Sequence, residues 1–452
     1  MKKIIHMSVI CAGAIALSLT AASAKDNKGH AYGKLKDFTK FTPLIQSANS
    51  NDWDVSAPWK LPEGYTQSVV SDESDLNIYD GGRDDWHDMN VVNETGPQAG
   101  RFMYRTHELR LPASLPEGGA ISVVDLKTGE TKLLGSDPSW NAVDGIRWTP
   151  WGTLLFGEET TGGRLFEVVL NDDMMSIAEV IDRPQVGRMA HEGIDLDSDG
   201  NIYVVDEHRG RTSGCDGVVP CGGGVYKFVP DTYGDLSSGE LFVLKVNGAD
   251  GVGSAEWAGP IDPLNARTSG TEFDGQSYQR PEDLEIIGDT LYVAITEGPR
   301  DAKTETDPAE DNFGQLEFKS ELYEGRVIAL NMKTMQVNNF VKPGVNVAVE
   351  IGKPGDEGHQ TGFDSVDNLA EAPNGDLIMI EDNKPSDIWF ASTTNVNKYG
   401  ASEKVELFAS LTDPGAEGTG IYVSPTDPKT LYVNVQHSEA DDGDGTWAIT
   451  KK

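Results

Sequence analysis

The most restrictive feature of this 452-residue chain is a phrase that it repeats. TPWGTLLFGEE (149 to 159), DSDGNIYVVDEH (197 to 208), IIGDTLYVAITE (286 to 297), APNGDLIMIEDN (372 to 383) and SPTDPKTLYVNVQH (424 to 437) share a turn, a short apolar strand and a polar or acidic end. A second phrase, GGRLFEVVL, GGVYKFVP or EGRVIALNM, follows or intervenes. One such unit cannot bury its own apolar face. Recurrence at about 50 residues, or at roughly doubled intervals, therefore predicts stacked copies of one β unit. With 50 glycines, 23 prolines and no long helical period, the expected fold is all-β: a six-bladed β-propeller with long loops over one face. The first phrase is expected to supply the inner strand of a blade and the second phrase the strand beside it. Residues 25 to 65 and the insert from Asn247 to Gln279 are polar and without clear period, which predicts arms or loops.

The chain opens with Lys2 and Lys3, an apolar run from Ile4 to Leu19, and Ala22-Ser23-Ala24, the pattern of a cleaved signal peptide. Residues 1 to 24 are expected to be a leader and 25 to 452 the folded, exported domain, periplasmic or extracellular and monomeric. Cys215 and Cys221 stand close together with no third cysteine or histidine at zinc spacing, so a local disulfide is expected rather than a thiolate metal site. The formal charge is −36, or −38 without the two leader lysines. Such a field repels nucleic acid and anionic membranes as partners. It also repels a phosphate or carboxylate substrate unless bound cations reverse the sign locally.

In a propeller, the ends of inner strands converge on one mouth of a channel. Glu158 and Glu159, Asp206 and Glu207, Glu297, and Glu381 and Asp382 close repeat phrases, while Glu192, Glu282 and Asp367 precede strands. Carboxylates gathered so closely need a cation, and hard oxygen donors with few histidines select calcium or magnesium. Taken singly, each of these acids is better read as a solvated strand end than as a ligand; their recurrence at equivalent places is what points to a metal for the group. The stretch Asp195-x-Asp197-x-Asp199-Gly200, with Asp206 at the twelfth place, also fits the spacing of a calcium loop. Asn201 to Val205 is strand-like, however, so a plain hairpin turn is the expected structure there.

RFMYRTHE (101 to 108), TPWGTLLFGEE, GRMAHEG (187 to 193), RPEDLE (280 to 285), EGRVIAL (324 to 330), FDSVDNL (363 to 369) and TLYVNVQH (430 to 437) occur in the order, and with much of the wording, of PhoX-like alkaline phosphatases. The chain resembles that family from about residue 85 to 440. The resemblance implies a secreted six-bladed propeller whose phosphomonoesterase site holds calcium and iron among carboxylates and one cysteine. It implies metal-ligand roles for Glu108, Glu159 or its neighbour Glu158, Glu192 and Glu282, with Asp367 and Glu297 as looser matches. It also implies that Arg280 grips the phosphate and that Trp151 lies near the substrate. Two departures stand out. Asp144 occupies about the place of the family's cysteine, which favours calcium or magnesium over iron. The leader also lacks an arginine pair, so folding after export with calcium drawn from outside is expected.

The expected activity is thus a metal-dependent phosphomonoesterase acting on a small phosphate ester. Two alternatives use the same acids: a non-catalytic calcium-binding propeller, and a calcium-dependent lactonase-type hydrolase. No Gly-x-Ser-x-Gly elbow or phosphate-cradling glycine loop is present.

Overall fold

Short apolar strands separated by tight turns pair with their sequence neighbours, and the chain does this throughout. The computed structural model describes residues 38 to 452 except 50, 52, 80 to 84, 211 to 221, 297 to 324, 353 and 355 to 357. The expected leader, Cys215, Cys221 and Glu297 lie outside the described residues. His87–Val92, Phe102–His107, Gly119–Asp125 and Glu130–Asp137 form one antiparallel meander, and Val143–Trp148, Leu154–Glu158, Leu165–Leu170 and Ile177–Asp182 the next. The remaining meanders begin at His191–Leu196, Pro281–Ile287, Val366–Glu371 and Glu417–Val423. Each of these first strands packs on the next, and Glu417–Val423 packs back on His87–Val92, so the six enclose a channel. This ring of β-sheets is a β-propeller.

An early strand closes the ring. Tyr65–Asp72 pairs with the final strand, Gly445–Lys451, running from Tyr65 opposite Lys451 to Asp72 opposite Gly445. Apolar side chains fill the wedges between neighbouring sheets. Tyr104, Trp140, Phe156 and Phe166 share one such cluster, and Trp59, Tyr65, Phe408 and Trp447 share another.

Three expectations are corrected. Among the described residues the six meanders make five continuous sheets, because Gly253–Ile261 joins two of them, pairing with Asp235–Asn247 on one side and Gln336–Val341 on the other. That strand lies in the insert expected to be loop, which also contains the helix Ala266–Glu272. Most of its side chains stay partly exposed, so it carries no apolar alternation to betray it. Within the other expected arm, Trp59–Lys60 pairs with Val405–Leu411, and Phe38 and Phe41 pack on Phe408. The third correction concerns order within each meander. The repeated apolar phrase is the second strand, and the inner strand is the segment before its turn. Antiparallel pairing nevertheless brings the acidic end of the second strand beside the start of the first, as in Val143 opposite Glu158, His191 opposite Asp206 and Val366 opposite Glu381.

Candidate metal centre

Every first strand is interrupted near the same place, the sixth one residue later than the other five. Its pairing slips between His87 and Asn90, Val143 and Ile146, His191 and Ile194, Pro281 and Leu284, Val366 and Leu369, and Thr419 and Tyr422. A bulge re-aims the side chains that flank it. Here the re-aimed residues are Asp88, Asp144, Glu192, Glu282 and Asp367, with Thr419 taking the sixth place, and all line one cavity of about 210 Å³. Two residues further on, Asn90, Ile146, Ile194, Leu284, Leu369 and Ile421 line a separate cavity. An almost wholly aliphatic layer therefore lies beneath the acids. The inner strands approach so closely that a Cβ on Gly145 would lie 1.6 Å from the Glu192 carbonyl oxygen.

The second-strand ends supply an outer set, and alternation along the strand divides each acidic pair. Glu159, Glu207 and Asp382 face the cavity. Their predecessors turn into the meander: Glu158 accepts from Arg164 Nε at 2.7 Å, Asp206 from Arg267 Nε at 2.6 Å, and Glu381 from Trp389 Nε1 at 2.9 Å. Glu108 and Gln436 hold the corresponding places in two other meanders. In the strand Thr290–Ile295 that place belongs to Thr296, whose hydroxyl donates to Glu282 at 2.7 Å.

Ten carboxylates and three arginines, Arg110, Arg209 and Arg280, line the cavity. Burial first, and neighbouring carboxylates next, push Asp88, Asp144 and Glu192 well above the usual carboxylate range. Burial likewise lifts Glu282 to about 8, although Arg280 opposes the rise. The carboxylates form three triads whose oxygens lie within 4.8 Å of one another: Asp88, Glu108 and Asp144; Asp144, Glu159 and Glu192; Glu192, Glu282 and Asp367. Asp144 and Glu192 each belong to two triads, as bridging ligands of adjacent cations would. Asp144 Oδ1 is buried with no hydrogen-bond partner. That orphaned acceptor and an all-oxygen donor set fit divalent hard cations.

The structure thus gathers Glu108, Asp144, Glu159, Glu192, Glu282, Asp367 and Arg280 at one mouth. It does not bring Glu158 or Trp151 there. Glu158 is turned away by strand alternation and held by Arg164. Trp151 sits in the turn at the opposite end of the same strand pair, where its indole donates to Glu167 at 3.0 Å and its ring meets Tyr233 edge-on. The calcium-loop spacing at Asp195 does not close on an ion. Asp195 accepts from Arg147 and Ile286, Asp206 is clamped by Arg267, and Asp197 caps a plain turn through Asp199 and Asn201. Sequence reasoning missed Asp88, Glu417, Arg110 and Arg209 as cavity residues. A signal for Asp88 existed: HDMN, VDGI, HEGI, PEDL and VDNL each set an acid two residues before an asparagine or aliphatic side chain.

Fold and site together define a β-propeller with a polyacidic channel mouth. The family model described as alkaline phosphatase PhoX matches residues 163 to 439, and the chain belongs to that family. Among solved structures, Pseudomonas fluorescens PhoX in complex with vanadate, a transition state analogue, aligns with a TM-score of 0.58 at 15% identity, covering 92% of this chain and 98% of that one. The likeness shows the shared fold. The PQQ domain of pyranose dehydrogenase from Coprinopsis cinerea aligns with a TM-score of 0.47 at 9% identity over 87% of this chain and 97% of that one. A gluconolactonase from Xanthomonas campestris aligns at 0.45 and 12% identity over 91% and 99%. No curated protein matches the sequence.

Proposed function

We propose that the protein is an exported, calcium-dependent phosphomonoesterase whose active site is this acidic mouth. The observation that carries the proposal is the set of three triads sharing Asp144 and Glu192. A lactonase-type site needs one ion, whereas shared bridging carboxylates suit a cluster. Asp88, Glu108, Asp144, Glu159, Glu192, Glu282 and Asp367 would hold the ions. When bound, they would polarise the phosphoryl oxygens, lower the pKa of an attacking water and offset the negative field that repels an anionic ester. The cysteine of the resembling family is replaced by Asp144, so calcium is assigned and iron is not required.

The chain's own residues perform the rest. Arg280 lines the cavity with Nε fixed by Glu207 Oε1 at 2.7 Å and Glu282 Oε1 at 2.8 Å. In this role its guanidinium orients the phosphate and offsets charge growing on the equatorial oxygens. The polar mouth, with few apolar groups, favours a small ester recognised through its phosphate. Chelation followed by calcium restoration, assayed on a chromogenic phosphate ester, tests the proposal. Activity should vanish and return; turnover indifferent to chelator would refute it.

A further inference from the structure

The two arginines whose contacts are resolved are each held by two glutamates, Arg280 through Nε and Arg110 through its terminal nitrogens. Arg280 is fixed between Glu207 and Glu282, on one side of the mouth. Between two other meanders, Arg110 Nη2 lies 2.7 Å from Glu108 Oε1 and also contacts Glu159 Oε2, while Nη1 donates to the Glu159 carbonyl at 3.0 Å. Glu108 and Glu159 follow strands of different sheets, so this guanidinium ties two sheets together at the cavity. The two acids belong to the two triads that meet at Asp144. Arg110 keeps 39% of its side chain exposed, but both carboxylates are largely buried at 13% and 11% exposure, so the ends that meet are taken out of water as they are not in a surface ion pair. A phosphate clamp is also disfavoured, since both terminal nitrogens are already committed to Glu108 and Glu159.

We propose that Arg110 is a resident cation of the metal centre. It supplies one fixed positive charge beside the two triads sharing Asp144 and holds Glu108 and Glu159 in position. The centre consequently needs fewer divalent ions than its carboxylates alone would demand, and it keeps its shape when empty. This inference rests on the proposed metal-dependent function and deepens it. Arg110 acts through the ligands it holds and is a positioning residue.

The experiment counts calcium ions per chain at saturation in the wild type, Arg110→Gln and Arg110→Lys, by elemental analysis of protein folded and exchanged in calcium. Calcium throughout keeps a fragile variant folded. Arg110→Gln should take up about one further ion per chain, because the lost charge leaves a vacant cation position. Arg110→Lys should return to the wild-type count. Melting temperature provides a second readout: calcium should raise it more in Arg110→Gln than in the wild type. A count in Arg110→Gln equal to or below the wild type overturns the role given to Arg110, and an unchanged count with weaker inhibition by inorganic phosphate would reassign it to anion binding. A wild type that binds no calcium overturns the metal-dependent reading itself, an outcome distinct from the other two.

Discussion

Neighbouring carboxylates in this protein have opposite roles, and strand alternation decides which is which. Glu158 sits in a bidentate pair with Arg164, both oxygens engaged, whereas Glu159 one residue later faces the cavity. Glu158→Gln should therefore cost about 1–3 kcal/mol in denaturant unfolding by breaking a partly buried ion pair, yet leave the calcium response intact. Asp144→Asn should do the reverse. The carboxyl is held up by burial and by Asp88 and Glu159, and its Oδ1 has no partner, so an amide removes repulsion. Metal-free stability should rise by about 1 kcal/mol or more, while calcium affinity falls at least roughly tenfold. If Asp144→Asn destabilised the metal-free protein and bound calcium normally, the acid would be an ordinary structural group. Trp151 shows the limit of matching by resemblance. The TPWGT wording locates a turn reliably, but the turn lies at the far end of the strand pair from the acids.

At the level of the strand, the bulge places the chemistry, and close contact between inner strands makes the bulge unforgiving. The Cβ of Gly145→Ala would meet the backbone oxygen of Glu192, which cannot rotate away. The substitution must separate two inner strands that each carry a bridging acid. It should cost about 3 kcal/mol or more and weaken calcium binding together with stability, as measured by unfolding and calcium titration on one sample. An alanine variant with wild-type calcium binding would show that the two strands need not touch. The turn-strand-acid phrase made the existence and repetition of strands legible, because a short buried strand bounded by glycine or proline is a local signal. Which strand lines the channel was not legible, since the apolar run marks the second strand, as in IYVVD and LIMIE, while the inner strand is broken by its own acids, as in HEGIDL and VDNLAE. The bulge positions were hidden for a different reason: register is a property of two segments, and no single segment encodes it. Only the acid-x-aliphatic spacing, met four times and once with Asn90 in the aliphatic place, hinted at them.

The whole ring concentrates charge that the chain elsewhere leaves in water, and this sets its response to pH. Family and fold were legible because ordered motifs extend over most of the chain; the gathering of ten acids at one mouth follows only once the ring closes through Tyr65–Asp72. Burial is the main cause that lifts Glu282 to about 8, and Asp283 and Asp387 to about 7. In the unfolded chain such groups titrate near 4. Between those values the folded protein holds more protons than the unfolded one, so metal-free stability must fall as pH rises from about 4 to about 8 and level off above. Calcium can replace the protons that leave the cavity acids. Saturating calcium should therefore raise the melting temperature little near pH 5 and most near pH 9, reducing the slope seen in chelator. Thermal unfolding at about pH 5, 7 and 9, with chelator and with calcium, measures both slopes. A metal-free protein that grew steadily more stable towards alkaline pH would mean that the mouth carboxylates are solvated singly, without the burial and mutual repulsion that make the mouth a site for cations.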